Sequence, residues 1–291
     1  MRDVIYNLLV LCLRMLPLRA LHCAGEGLGR SIWFFAPSRR RYALRAVRHR
    51  LNTSPREARR IAGQSFLHSG KSFMELPYFG FDFRFLEQNL EVSDPEMLAR
   101  IAASPRPLVL PSAHFGAWEL LSPTMVMLLP GKNGLGAVRL PKDNSLARVM
   151  QHLRTRSKLS FLPHRGSAVR ILQHLKKGGA AGFLVDHNCQ RHEASFISFL
   201  GKKAAVNTGP ALLAVRSKAV LWPVFLLRRP RGRYRLLCME PLDTREVEGD
   251  LRERVGKCAG FYTGAVERVV REYPEQWFWM HRRWKTRPRG E

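Results

Sequence analysis

The sequence is poor in acidic residues: 23 Asp and Glu stand against 49 Lys and Arg, a formal net charge of +26. Such a surface seeks polyanions, and the partner classes it admits are nucleic acid, anionic lipid headgroups and an acidic carrier protein. Cysteine is scarce as well. The five, Cys12, Cys23, Cys189, Cys238 and Cys258, are odd in number, far apart and without a C-x-x-C pair, which argues against a disulfide framework or a zinc knuckle and for a reducing compartment. The chain contains no P-loop, no G-x-G-x-x-G and no G-x-S-x-G, so the familiar phosphate cradles and the nucleophile elbow are excluded. A low-complexity basic tail is missing too. With 45% hydrophobic residues the chain has the apolar content of a folded protein, not of a disordered nucleic-acid-binding arm.

A long unbroken apolar run is also lacking. Residues 4–13 are apolar, but Arg14 interrupts them, and a lone spanning helix needs about 20 such residues. Arg19 and His22 sit where a secretory signal would have small residues. Residues 28–36, with Trp33, Phe34 and Phe35, run into Arg39-Arg40-Arg41. Apolar, aromatic, basic is the order of helices lying in a membrane interface. Two readings stay open: amphipathic helices packed on the domain itself, or a peripheral, cytoplasm-facing membrane attachment, which accounts for more of the region. We take residues 1–50 as an N-terminal helical, membrane-associating segment and residues 51–291 as one domain with a single core.

Within that domain, residues 38–79 read as helical, with Ser54-Pro55-Arg56-Glu57 as a capping box and Ile61, Phe66, Phe73 and Leu76 at helical spacing. Ser93-Asp94-Pro95-Glu96 opens a second short helix. After Pro105 the texture changes. Apolar runs at 108–110, 136–139, 159–162, 181–185, 219–227 and 234–239 read as strands, and they alternate with helical stretches at 117–129, 144–156, 167–177, 210–218 and 247–272. Such alternation predicts an α/β fold, with a central mixed, mostly parallel sheet covered by helices and the N-terminal helical extension beside it.

Ser112-Ala113-His114-Phe115-Gly116-Ala117-Trp118-Glu119 falls where the first strand hands over to a helix, and catalytic groups of open α/β sheets gather at such strand ends. A histidine there can deprotonate a hydroxyl, and a carboxylate on its other ring nitrogen would fix the tautomer. Residues five apart on a helix point about 140° apart, so pairing His114 with Glu119 requires His114 to lie in the loop, where Gly116 gives the backbone freedom. Spacing alone fits an ordinary, partly buried histidine equally well. Residues 186–193, DHNCQRHE, carry metal-capable side chains at no common zinc spacing and read as a polar loop, with Cys189 structural.

His114-Phe115-Gly116-Ala117-Trp118-Glu119 resembles the H-x4-(D/E) signature of glycerolipid acyltransferases, and in its H-x-G-x-W-E form the late acyltransferases of lipid A biosynthesis. Four further blocks match in order: Val138-Arg139 with Lys142-Asp143-Asn144; 184–186 with 199–204 and Thr208-Gly209-Pro210; Leu221-Trp222-Pro223-Val224; and 273–277 with 279–285. His187 and Ala117 depart from the family, which usually has glutamine and often asparagine there. The resemblance implies that His114 is the general base and Glu119 orients it. By family position Arg139, Arg154 and Arg156 would hold the acceptor's phosphates or the donor, although a solvated helix face explains Arg154 and Arg156 as well. Asp186 is a further substrate-binding candidate, its alternative being a turn or cap. Oxyanion donors would come from backbone N–H groups near Gly116 or from a nearby cation. The resemblance further implies acyl carrier protein as donor, a lipid A precursor as acceptor, no metal or nucleotide cofactor, and the cytoplasmic face of a bacterial inner membrane. An acyl-CoA-dependent enzyme acting on another glycolipid is the near alternative. A basic nucleic-acid-binding protein, which would leave the ordered blocks unexplained, is the distant one.

Overall fold

A computed structural model describes residues 8, 11–12, 16–75, 83–138, 160–163 and 166–290. The first elements are helical: α1 (Leu18–Phe35), α2 (Pro37–Arg50) and α3 (Pro55–Glu75). Helix α3 starts where Ser54 accepts the Glu57 amide at 3.2 Å, and it buries Ile61, Ala62 and Phe66 completely or nearly so. Burying a phenylalanine in this way contributes about 1.5–3 kcal/mol. Pro37 and Pro55 stand at the first helical position, where a missing N–H costs nothing. Helices α1 and α2 bury Leu21, Ala43 and Val47, so their inward faces belong to the core. Among the described residues no helix is long and apolar enough to cross a membrane.

The chain continues through α4 (Phe83–Asn89), β1 (Leu90–Val92), α5 (Pro95–Ala103), β2 (Leu108–Ser112), α6 (Trp118–Leu128), β3 (Gly134–Val138), β4 (Ser160–Pro163), α7 (Ala168–Lys176) and β5 (Ala180–Leu184). It then forms β6 (Ala194–Phe199), β7 (Lys202–Asn207), α8 (Gly209–Ser217), β8 (Val220–Leu221), β9 (Val224–Arg228), β10 (Tyr234–Cys238), β11 (Leu242–Asp243) and α9 (Leu251–Glu272). The main sheet has the order β11-β8-β2-β5-β3-β4, and only β11 runs antiparallel to its neighbour. Strand β2 is buried along its whole length, as a parallel strand covered on both faces should be.

The expected α/β alternation therefore stands, with several differences. The run at 219–227 is two strands, because Pro223 has no N–H to continue a ladder. Before it β8 joins the main sheet; after it β9 joins a separate sheet, β1-β10-β9. The β6–β7 hairpin was not foreseen; its loop carries Leu200 at φ +50° and Gly201 at φ +72°. Helix α9 begins at Leu251, four residues later than the apolar pattern suggests, because Asp250 and Glu253 form a reciprocal capping box there. The expected helix at 144–156 lies outside the described residues.

Candidate active site

Parallel pairing of β2 with β5 sets Ser112 opposite Leu184. Two residues beyond each of these strand ends stand His114 and Asp186, and they meet. His114 Nδ1 lies 2.9 Å from Asp186 Oδ1, and the His114 amide donates to Asp186 Oδ2 at 3.0 Å. The Trp277 indole N–H donates to the same oxygen at 2.9 Å. With its N–H given to Asp186 the neutral ring keeps its lone pair on Nε2. The His114 side chain is 33% exposed and that of Asp186 fully buried.

Burial disfavours a charge on His114, but the Asp186 charge and hydrogen bond, with a smaller contribution from the Glu119 charge, outweigh it and raise the pKa above 6.5. Burial would likewise raise Asp186. The cation on His114, its hydrogen bond, the neighbouring His281 and the Trp277 N–H hold it instead well below the ordinary carboxylate range. His281, with Nε2 2.9 Å from the Asp186 carbonyl and Nδ1 2.7 Å from that of Phe278, is driven down to about 4 by burial, against the pull of Asp186.

The hydrogen-bonded carboxylate is thus Asp186, not the expected Glu119. Glu119 sits half-buried in the first turn of α6 and acts on His114 through its charge. Asp186 in turn is no surface ligand for substrate: it is sealed beneath His114, Trp277 and the backbone carried by His281. Arg139, Arg154 and Arg156 lie outside the described residues. Of the backbone donors near Gly116, three are engaged within the protein: Phe115 N–H donates to Ala113, Gly116 N–H to Gln276 and Ala117 N–H to Leu226.

The turn that carries His114 is held from three sides. Residues 277–278 run antiparallel beside it, through a Phe115–Trp277 bridge and a Phe278 N–H to His114 carbonyl bond of 3.0 Å. Gly116 adopts φ +55°, and a Cβ there would run into the Leu226 carbonyl. Its own carbonyl accepts from Arg228 Nη1 at 2.8 Å and from Ser72 Oγ at 2.9 Å. Arg228 is buried and grips buried Glu75 through Nε at 2.8 Å and through Nη2. His22 and the Tyr234 hydroxyl share Oε1 of that carboxylate at 2.8 and 3.0 Å. Burial opposes ionisation of Glu75, yet Arg228 and His22 bring its pKa down to about 2. Sequence reading missed this network because its members come from α1, α3, β9 and β10; its one signal was a glutamate on the buried face of α3.

Trp118, Phe73 and Phe278 gather round the imidazole, with Trp118 and Phe278 5.7 and 6.0 Å from it and Phe73 meeting both of them edge-on. Phe73 is exposed. Cys189 is buried and its thiol pushed up by burial, as suits a packing role. Among the described residues no group of three His, Cys, Asp or Glu side chains is placed to hold a metal ion.

The arrangement suits removal of a proton from a hydroxyl beside an apolar surface. The model of a family described as bacterial lipid A biosynthesis acyltransferase matches residues 1–286. A lipid A biosynthesis lauroyltransferase of Escherichia coli (strain K12) is 31% identical over 286 residues, spanning 94% of this chain and 88% of that protein. A lipid A biosynthesis palmitoleoyltransferase of the same organism is 27% identical over 245 residues, 82% of this chain and 76% of that one. Among solved structures, a 1-acyl-sn-glycerophosphate acyltransferase from Thermotoga maritima aligns over 95% of this chain and 99% of its own, with 15% identity and a TM-score of 0.42.

Proposed function

The chain belongs to the bacterial lipid A biosynthesis acyltransferase family, and from that premise we propose that it moves a fatty acyl group from acyl carrier protein to a hydroxyl of a lipid A precursor, at the cytoplasmic face of the inner membrane. That it is an acyltransferase of the lipid A type follows from the family. The observation that supports the chemistry is the pairing of a partly exposed imidazole with a sealed carboxylate, His114 on Asp186.

His114 Nε2 takes the proton of the acceptor hydroxyl as its oxygen attacks the thioester carbonyl. Asp186 keeps the ring in the required tautomer and stabilises the imidazolium that forms. The tetrahedral intermediate then collapses, the C–S bond breaks, and the departing thiolate takes the proton back from His114. Glu119 adds its charge to the stabilisation of the imidazolium. Arg139, Arg154 and Arg156 supply positive charge for the phosphates or the oxyanion. No cofactor is required for these steps.

For the membrane, the support is that α1 ends with Phe34 and Phe35 exposed, at 69% and 88%, immediately before the arginines of α2. The test is transfer of labelled acyl groups from acyl carrier protein to a tetra-acylated lipid A precursor, by wild type, His114→Ala, Asp186→Asn and Glu119→Ala. Loss of transfer in the histidine variant, to about 10²–10⁴-fold below wild type, is expected. Full activity of His114→Ala would remove the mechanism. Transfer only with acyl-CoA would move the donor assignment to the near alternative.

A further inference from the structure

Helix α2 carries Arg39, Arg40, Arg41, Arg45, Arg48 and Arg50 and no carboxylate. Some of these cations serve the fold. Arg39 donates to the Met280 carbonyl at 3.3 Å, Arg40 to that of Trp33 at 3.2 Å, and Arg50 lies over the Trp284 ring at 5.9 Å. Arg41 and Arg45 do none of this. One helical turn apart, they line a cavity of about 780 Å³ whose remaining walls are Ser38, Tyr42, Leu44 and, from the closing segment, Arg282. Among the described residues none of these three guanidiniums has a hydrogen bond or ion pair to the protein, and no wall of the cavity is acidic.

Three cations that border one space repel one another, and an anion between them relieves that repulsion. Guanidiniums match phosphate oxygens in pairs, and three of them suit the dianion of a phosphomonoester better than the single charge of a diester. The setting adds a second constraint. Phe34 and Phe35 lie exposed at the end of α1, with only Ala36 between them and the start of α2, so an apolar surface adjoins the cationic helix. We propose that this cavity is a binding site for the phosphomonoester of a lipid, with Arg41, Arg45 and Arg282 holding its oxygens. Arg282 follows His281, whose ring meets the Asp186 carbonyl, so one wall of the cavity belongs to the segment that supports the His114–Asp186 pair. The proposal deepens the membrane reading above, on which its lipid half rests.

The experiment is calorimetric titration of the full chain with monomeric dihexanoyl phosphatidic acid, with dihexanoyl phosphatidylglycerol as the phosphodiester reference. Arg41→Ala/Arg45→Ala/Arg282→Ala is compared with a variant of equal charge loss on other faces, Arg216→Ala/Arg252→Ala/Arg268→Ala. The cavity variant should bind phosphatidic acid at least tenfold more weakly than wild type, and the control within about twofold of it. Should the triple variant not fold, Arg45→Glu, a single exposed change, is expected to give the same loss. Inorganic phosphate that competes fully assigns affinity to the phosphate alone; weak competition assigns part of it to the lipid, and either supports the site. Equal weakening of both triple variants, or equal binding of the two lipids by wild type, would overturn it. Flotation of wild type with phosphatidylglycerol-containing vesicles is measured on the same samples. Binding of phosphatidic acid without flotation keeps the site and removes the membrane reading, and flotation with equal weakening of both triple variants does the reverse.

Discussion

Asp186 accepts from the His114 amide, the His114 ring and the Trp277 indole, so its replacement by asparagine removes the charge while leaving a side chain of the same shape. The expected loss of kcat is on the order of 10³–10⁴-fold, because an amide can turn its NH₂ to Nδ1 and fix the wrong tautomer. The pH profile should separate the two carboxylates. Both Asp186 and Glu119 raise the His114 pKa, and Asp186 contributes more, adding a hydrogen bond to its charge. The acid limb of kcat/KM, which follows deprotonation of His114, should therefore lie above pH 6.5 in wild type and move to lower pH in Asp186→Asn, with a smaller shift in Glu119→Gln. A larger shift in Glu119→Gln would return Glu119 to the orienting role expected from the sequence. For stability the sign is as follows: a folded-state pKa above 6.5 means that the ionic pair stabilises fully below pH 6.5, and that this contribution fades as pH rises through the folded value. Trp277→Phe, which keeps an aromatic side chain but deletes the indole N–H donor to Asp186, should lower kcat about tenfold with KM unchanged. His114 was legible because a strand end, a glycine and a tryptophan flank it in a recognisable order. Its partner was not, since a contact across 72 positions is decided by β2–β5 register.

Helix α3 is the element through which the fold reaches the turn that carries His114. Its His68 carbonyl and Ser72 and Glu75 side chains meet Arg228, which in turn holds the Gly116 carbonyl. Glu75→Gln would leave a buried guanidinium without its counter-charge, a change that costs about 3–5 kcal/mol and is measurable by denaturant unfolding. Since the Glu75 pKa falls from 4.5 to about 2 on folding, the wild-type contribution of this pair is present above pH 4.5 and lost as pH falls towards 2. The same helix holds α1 at close range. A Cβ on Gly29 would strike the Phe66 carbonyl, and one on Gly70 the Gly25 carbonyl. Gly70→Leu should therefore push α1 off α3, lower Tm and render α1 sensitive to limited proteolysis while the rest of the chain stays protected. The helical period and the Ser54 cap announced α3 from sequence. The glycines of α1 and α3 announced nothing, because close approach becomes visible only when both helices are in place. A single apolar run at 219–227 likewise concealed a change of sheet, although Pro223 marked the place.

At the scale of the whole molecule, charge and apolar exposure make separable demands on a membrane. The +26 surplus acts through Coulomb attraction, worth about 1 kcal/mol for each basic residue near an anionic leaflet, and is screened by salt over about 10 Å at 0.1 M. Phe34 and Phe35 act through burial, which salt does not weaken. Both were legible in the sequence as an aromatic run followed by arginines, whereas the packing of α1 against α3 that aims them outward was not. Flotation with phosphatidylglycerol-containing vesicles should therefore show two components in wild type, one lost between about 0.1 and 0.5 M salt and one that persists. In Phe34→Ser/Phe35→Ser the persistent component should vanish while binding at low salt stays within a fewfold of wild type, because no charge has changed. Binding to duplex DNA under the same conditions should show the salt-sensitive component alone and be indifferent to both phenylalanines. If the paired phenylalanine variant instead floats like wild type at 0.5 M salt, the interface is formed by another surface and α1 serves only to cover α3.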